Sequence, residues 1–147
     1  MKRVPNPAYV SDYQIRSPII RRVSFTGSTA IGRQLGALAA SHLKLTTMEL
    51  GGHAPFIVCE DADIEGAATL ACTLKFRNAG QVCASPSRFY VHETVFAAFA
   101  QRCTELADQL KIGDGFAPTS QMGPLANARC LMMVQELLAD AAELGGG

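Results

Sequence analysis

Short apolar runs alternate along the chain with stretches in which apolar residues recur every three or four positions. Four of the runs predict β-strands, at residues 19–25, 44–50, 56–59 and 87–92. The helical spacing predicts helices that begin at Ser28 or Thr29, after Asp61 and Asp63, near Val95 and near Cys130. Because strands and helices alternate, we expect an α/β protein with three αβα layers and a mainly parallel sheet. The polar residues 1–14, which contain two prolines, predict an irregular lead-in.

The first two predicted strands flank a glycine turn and a helix. Strand 19–25 leads into the turn Thr26-Gly27-Ser28, the helix should end near His42, and strand 44–50 stops at a pair of glycines. The two strands of such a strand–helix–strand unit should pair in parallel. A helix that begins directly after a glycine turn suits a bound phosphate, whereas the plainer interpretation is an ordinary capped helix. The continuous apolar run 56–59 is typical of a buried strand.

Composition excludes several classes of function. The chain of 147 residues is 48 % hydrophobic, which is enough to bury the core of one domain. Basic and acidic residues balance at 13 each, so nothing predicts attraction to nucleic acid or to an anionic membrane. No apolar run approaches the roughly 18 residues that span a bilayer, and the charged N-terminus lacks the apolar segment of a signal peptide. We therefore expect a soluble cytoplasmic protein.

The cysteines, five in number, show no C-x-x-C spacing. Cys72, Cys103 and Cys130 fall at apolar positions of predicted helices, which favours buried free thiols over a disulfide framework. The three histidines are not spaced as a metal-binding pair, so we expect no metal site.

Cys83 and Glu49 are the candidate reactive residues. Cys83 lies in the predicted loop 80–86, away from any apolar helix face, and a thiolate there could attack a carbonyl group. Glu49 ends the second predicted strand, where burial would desolvate its carboxylate and suit it to proton exchange. Each has a plainer interpretation. Cys83 would be a structural thiol, and Glu49 would be a solvated strand end or the partner of Lys44 or Arg33 in an ion pair.

Three stretches occur together and in one order: residues 25–29 (FTGST), 48–52 (MELGG) and 76–83 (FRNAGQVC). The set resembles the aldehyde dehydrogenase superfamily, and the resemblance covers most of the chain, from about Ile15 onward. It implies the oxidation of an aldehyde, a small-molecule substrate, to a carboxylic acid with NAD or NADP. Cys83 would attack the aldehyde, hydride would pass to the cofactor, and Glu49 would activate the water that releases the acid.

The resemblance also implies which residues meet the cofactor. Gly27 and Ser28 would meet the pyrophosphate, with Phe25 and Ile31 nearby, and Leu50 and Gly51 would lie against the nicotinamide. The turn lacks the G-x-G-x-x-G fingerprint, so by itself it is weak support for a dinucleotide site. Asn78, Gly80 and Gln81 are expected to shape the thiol's loop, and the N–H of Cys83 could donate to an oxyanion.

By the same resemblance, residues 1–48 would be the C-terminal part of a dinucleotide-binding domain and residues 49–147 the N-terminal part of the catalytic domain. The family's main dinucleotide half, its second oxyanion donor and its oligomerisation strand have no counterpart in the chain. We therefore expect a truncated or split enzyme, which would be a homo-oligomer if full length. Two alternatives stay open: a catalytically silent association module, and a cofactor-independent thiol esterase.

Overall fold

The computed structural model describes residues 6–145, which form two compact units that divide between Gly52 and His53. Each unit is built on a two-stranded parallel sheet. The α/β class and the parallel pairing that the sequence predicts are therefore confirmed. The predicted domain boundary, between residues 48 and 49, lies close to this division. The assignment of the two parts to cofactor-binding and catalytic domains stays a prediction.

The first unit contains two helices and two strands: α1 (Pro7–Arg16), β1 (Arg22–Gly27), α2 (Thr29–Ser41) and β2 (Leu45–Leu50). β1 and β2 pair in parallel, with Gly27 opposite Leu50 at their ends. Helix α2 begins at the N-cap Ser28 and ends at the C-cap His42, as predicted. The strand–helix–strand unit expected from the sequence is therefore present.

Helix α1 replaces most of the irregular lead-in that the sequence predicts, and for residues 7–14 that prediction is wrong. The side chain of Asn6 caps the helix by accepting a hydrogen bond from the N–H of Tyr9, at 3.3 Å. Pro7 occupies the first helical position, where a missing N–H costs no hydrogen bond. Asn followed by Pro is therefore a helix start here, not a break. Residues 1–5 of the predicted lead-in lie outside the described residues.

Gly32 lets α2 pack closely on β2, whereas Gly36 leaves room for a Cβ atom in ordinary contact. A Cβ atom added at Gly32 would lie 2.6 Å from Cδ2 of Leu50, and one at Gly36 would lie 3.7 Å from Cε of Met48. Because side chains alternate along a strand, Glu49 points to the opposite face of the sheet from Met48 and Leu50. Glu49 is exposed on that face, and α2 does not cover it.

The second unit contains two strands and three helices: β3 (Ala54–Val58), α3 (Ile64–Phe76), β4 (Pro86–Val91), α4 (Glu93–Asp108) and α5 (Ala128–Glu143). A short 3-10 segment, Arg77–Gly80, follows α3. β3 pairs in parallel with β4. Val58, Ala68, Ala71 and Phe99 form the buried core between this sheet and helices α3 and α4.

Three expectations about the second unit are wrong in part. Strand β3 is not buried throughout, because the helices cover one face: Val58 is 3 % exposed and Ile57 is 69 % exposed. Asp63 is the N-cap of α3, as predicted, but its side chain makes no capping hydrogen bond. All five cysteines are free, as expected, but none is fully buried: Cys59 and Cys83 are exposed, and the other three are half-buried.

Helix α5 is amphipathic, as predicted, but residues 6–145 do not cover its apolar side. Leu137 is 62 % exposed and Leu138 is 66 % exposed. Among the residues of α5, only Cys130 is half-buried, and the others are exposed. The helix therefore presents an apolar surface to solvent within the part of the chain that the structure describes.

Candidate active site

Cys83, the candidate nucleophile, lies in the loop between α3 and β4. It occupies a tight turn closed by a 3.0 Å hydrogen bond from the N–H of Ser85 to the carbonyl of Val82. Its side chain is exposed, and its own N–H makes no hydrogen bond within residues 6–145. A carbonyl compound can therefore reach the thiol, and the adjacent N–H could donate to the oxygen of that carbonyl.

Three consecutive residues ahead of the thiol adopt left-handed backbone conformations: Asn78 (φ 53°), Ala79 (φ 55°) and Gly80 (φ 76°). A left-handed conformation costs about 1–2 kcal/mol at a residue that carries a Cβ atom, so other interactions must hold this segment. Two side-chain amides do so. Asn78 donates to the carbonyl of Gln81 at 3.2 Å, and Gln81 donates to the carbonyl of Asn78 at 3.0 Å. The path of the chain into Cys83 is thus held by its own side chains.

Contacts with more distant residues anchor the same loop. The side-chain oxygen of Gln81 accepts a 3.0 Å hydrogen bond from the N–H of Ala126, just before α5. The ammonium group of Lys75 donates to the carbonyl of Pro86 at 3.0 Å, and Ser85 is 8 % exposed. Sequence reasoning missed the anchoring roles of Lys75 and Ala126. The position of Lys75 among the apolar residues of α3 was a sequence signal for its anchoring role. The sequence around Ala126 contains no such signal.

Glu49, the candidate general base, lies near the end of β2 and is exposed. The expectation that burial desolvates it is wrong within its own unit, because its face of the sheet is uncovered. Glu49 forms no ion pair within residues 6–145. Lys44, its suggested partner, instead donates to the carbonyls of Ser17 and Ile20, at 2.8 and 2.6 Å. In its own unit Glu49 is a solvated carboxylate.

The candidate pyrophosphate residues lie where β1 meets α2. The ring of Phe25 fills the space beside Gly27, since a Cβ atom added there would lie 2.5 Å from the ring's Cζ. The hydroxyl of Ser28 accepts a 3.4 Å hydrogen bond from the N–H of Ile31, which leaves its own proton free to donate. Ile31 is 44 % exposed beside this turn. The structure thus brings Phe25, Gly27, Ser28 and Ile31 together at the start of one helix.

Leu50 and Gly51 follow Glu49 at the end of β2. The side chain of Leu50 packs against Gly32 of α2, so Leu50 also has a structural role. Gly51 is exposed, and a Cβ atom added there would have no atom within 4 Å. Their expected contact with the nicotinamide stays a prediction.

Four clefts of about 260 to 580 Å³ are found on the two units, and neither Cys83 nor Glu49 lines any of these four. Phe25 lines the cleft of 260 Å³, together with Ile15 and Leu35. Glu49 belongs to the first unit and Cys83 to the second. A site that the two residues share stays a prediction.

The two units define an α/β protein with parallel strand–helix–strand topology, a helix that starts after a glycine turn, and an exposed thiol on an anchored loop. The chain belongs to the aldehyde dehydrogenase family, whose family model matches residues 3–147. The membership that the three sequence stretches predict is therefore confirmed.

Sequence identity to named dehydrogenases supports this family assignment. The chain is 48 % identical over 139 residues to 4-(hydroxymethyl)benzenesulfonate dehydrogenase TsaD1 of Comamonas testosteroni, covering 95 % of this chain and 29 % of that protein. It is 45 % identical over 129 residues to succinate-semialdehyde dehydrogenase GabD of Escherichia coli K12, whose name specifies NADP(+), covering 88 % of this chain and 27 % of that protein.

The fold agrees as well. The crystal structure of succinate-semialdehyde dehydrogenase from Burkholderia pseudomallei matches with a TM-score of 0.92 and 42 % identity, covering 97 % of this chain and 30 % of that one. The chain therefore spans less than a third of the length of each of these relatives.

The described helices and side chains also bear on membrane insertion and metal binding. None of the helices within residues 6–145 is long and apolar enough to cross a membrane. Within the same residues, histidine, cysteine and acidic side chains form no group of three or more that could hold a metal ion.

Proposed function

We propose that this chain is the part of an NAD- or NADP-dependent aldehyde dehydrogenase that supplies the nucleophile, Cys83, and the general base, Glu49. The observation that supports this most is the thiol itself. Cys83 is exposed on a loop held by left-handed residues and amide hydrogen bonds, at the end of the 76–83 stretch of a chain that belongs to the family. A buried structural cysteine would need no such loop.

In the proposed reaction, the thiolate of Cys83 adds to the aldehyde carbon and forms a thiohemiacetal. The free N–H of Cys83 donates to the developing oxyanion. NAD or NADP, when bound, would supply the acceptor for the hydride of that carbon, and the sulfur of Cys83 would then hold the acyl group as a thioester. Glu49 then takes a proton from water, and the resulting hydroxide releases the carboxylic acid.

The residues at the start of α2 fit the phosphates of NAD or NADP. Ser28 has a free hydroxyl proton, and the first N–H groups of a helix have no partners inside the helix. The partial positive charge of the helix N-terminus also favours a phosphate. Phe25 beside Gly27 closes one side of this turn. A cytoplasmic location and a homo-oligomeric whole protein remain predictions from the composition and the family resemblance.

A chimera tests the proposed roles, because the chain spans only part of its relatives. Residues 6–145 would replace the matching segment of GabD, and oxidation of succinate semialdehyde with NADP would be followed by the absorbance of the reduced cofactor. Cys83→Ser should abolish turnover. Glu49→Gln should still form one equivalent of reduced cofactor rapidly. Its steady-state turnover should be lost, because hydrolysis of the thioester needs the base.

Cys59→Ser is the matched control, since Cys59 is also an exposed thiol of the second unit. It should leave turnover unchanged. Full activity of the Cys83→Ser chimera would refute the proposal. Cleavage of an activated ester without cofactor, lost in Cys83→Ala, would instead identify a thiol esterase.

The exposed apolar side of α5 favours a second function, an association module. Leu137 and Leu138 together with Leu131, Met133 and Val134 line that side, and each is at least 42 % exposed. We propose that its partner is a polypeptide that carries the remaining part of the aldehyde dehydrogenase fold, since the matched structures are chains more than three times as long. Sedimentation of the chain at several concentrations, with and without such a polypeptide, tests association. A chain that stays monomeric at all concentrations and does not bind the polypeptide would refute the proposal.

A further inference from the structure

Two thiols that the proposed reaction does not use lie together in the second unit. Cys72 is on α3 and Cys103 is on the neighbouring helix α4. The sulfur of Cys72 lies 3.6 Å from the carbonyl oxygen of Cys103, to which it donates a hydrogen bond. Both cysteines are free and half-buried. They are separated by 31 positions in sequence, so the packing of the two helices alone brings them together.

The two cysteines line one cleft, with a volume of about 290 Å³. Its other lining residues are mostly apolar or aromatic: Ala71, Phe76, Phe89, Phe99 and Ala107, with Lys75 and Thr104. The ammonium group of Lys75 already has a partner, because it donates to the carbonyl of Pro86 at 3.0 Å. The cleft therefore offers two sulfur atoms in an apolar, aromatic setting.

The thiol of Cys103 is neutral at physiological pH. Burial, with a further contribution from the neighbouring thiol of Cys72, raises the pKa of Cys103 to about 11. A site of this kind disfavours a ligand that stays charged, because its charge would lose solvation without gaining a partner. It favours a soft electrophile that forms a neutral adduct with two thiols.

We propose that Cys72 and Cys103 form a dithiol site for monoaryl arsenicals in which arsenic is trivalent. Each thiol proton leaves with one hydroxyl group of the arsenic as water. Two As–S bonds form, two S–H and two As–O bonds break, and arsenic remains trivalent, so no oxidant or reductant is needed. The adduct is neutral, and its aryl ring occupies the cleft beside Phe76 and Phe89.

The test uses the reduced 147-residue chain with phenylarsine oxide under argon, in the presence of excess glutathione. Glutathione removes arsenic held by one thiol, whereas an adduct with two protein thiols survives and is released by a small dithiol. Intact-mass measurement should show one adduct per chain, and thiol titration should show the loss of two thiols. Cys72→Ala and Cys103→Ala should each abolish the glutathione-resistant adduct.

Cys59→Ala, Cys130→Ala and Cys83→Ala are the matched controls, and each should retain the adduct. Ala107→Leu keeps both thiols but fills the cleft, so it should weaken binding of phenylarsine oxide and spare inorganic arsenite. If a variant loses its helical circular dichroism, peptide mapping of the wild-type adduct identifies the modified cysteines instead. No resistant adduct, an adduct that survives Cys72→Ala, or one that maps to Cys83 would overturn the proposal.

Discussion

Gly80→Ala tests the left-handed segment that leads into Cys83. Gly80 has a φ of 76°, and a Cβ atom added there would also lie 3.3 Å from the carbonyl oxygen of Lys75. The left-handed conformation costs alanine about 1–2 kcal/mol. The lower entropy of the unfolded alanine chain offsets about 0.4–1 kcal/mol of that cost. We expect a net loss of about 1 kcal/mol, close to a fivefold change in the unfolding constant.

The assay is urea unfolding followed by far-ultraviolet circular dichroism. Gly115→Ala is the matched control in the same unit, because its added Cβ atom would have no atom within 4 Å and its φ is not left-handed. It should be neutral or slightly stabilising, so the two variants should differ by about 1.5–2 kcal/mol. Gly80→Asn should cost less than Gly80→Ala, because asparagine tolerates the left-handed region.

Equal stability of Gly80→Ala and Gly115→Ala would refute the left-handed conformation at residue 80. Equal losses in Gly80→Ala and Gly80→Asn would show that the contact with the carbonyl of Lys75, not the backbone conformation, sets the cost.

Three further predictions concern stability. Phe99→Ala should cost about 3–5 kcal/mol in urea unfolding, because a ring that is 5 % exposed leaves a cavity. Phe116→Ala removes a ring that is 99 % exposed, and a similar loss there would contradict this reasoning. Hydrogen bonds from Arg102 lower the pKa of Glu65 below 4.5, so their stabilisation is complete above that pH and is lost as pH falls through the lowered pKa. Arg102→Gln should therefore flatten the acid side of the stability profile, and an unchanged profile would exclude this linkage. Ser28→Ala should cost about 1 kcal/mol through loss of the α2 cap, and an unchanged melting temperature would argue against it.

Local sequence signals were sufficient for the four strands and for helices α2 to α5. Helix α2 starts at Ser28 and ends at His42 as predicted, because capping and apolar periodicity act over a few residues. The family motifs can also be recognised in the sequence without coordinates, since each is a short contiguous stretch. Asn6 and Pro7 are also a local signal for the start of α1, because asparagine caps a helix and proline suits its first position.

Burial and long-range contacts were decided only by the tertiary structure. Ile57 and Glu49 are exposed although their strands are apolar, because a strand buries only the face that another element covers. The hydrogen bond from Ala126 to Gln81 spans 45 positions, and no local pattern specifies it. The meeting of Cys72 with Cys103 likewise depends on how α3 packs on α4. The sequence by itself determined the strands, the helices after α1 and the family, because these signals are local. The packing of the elements determined which side chains meet.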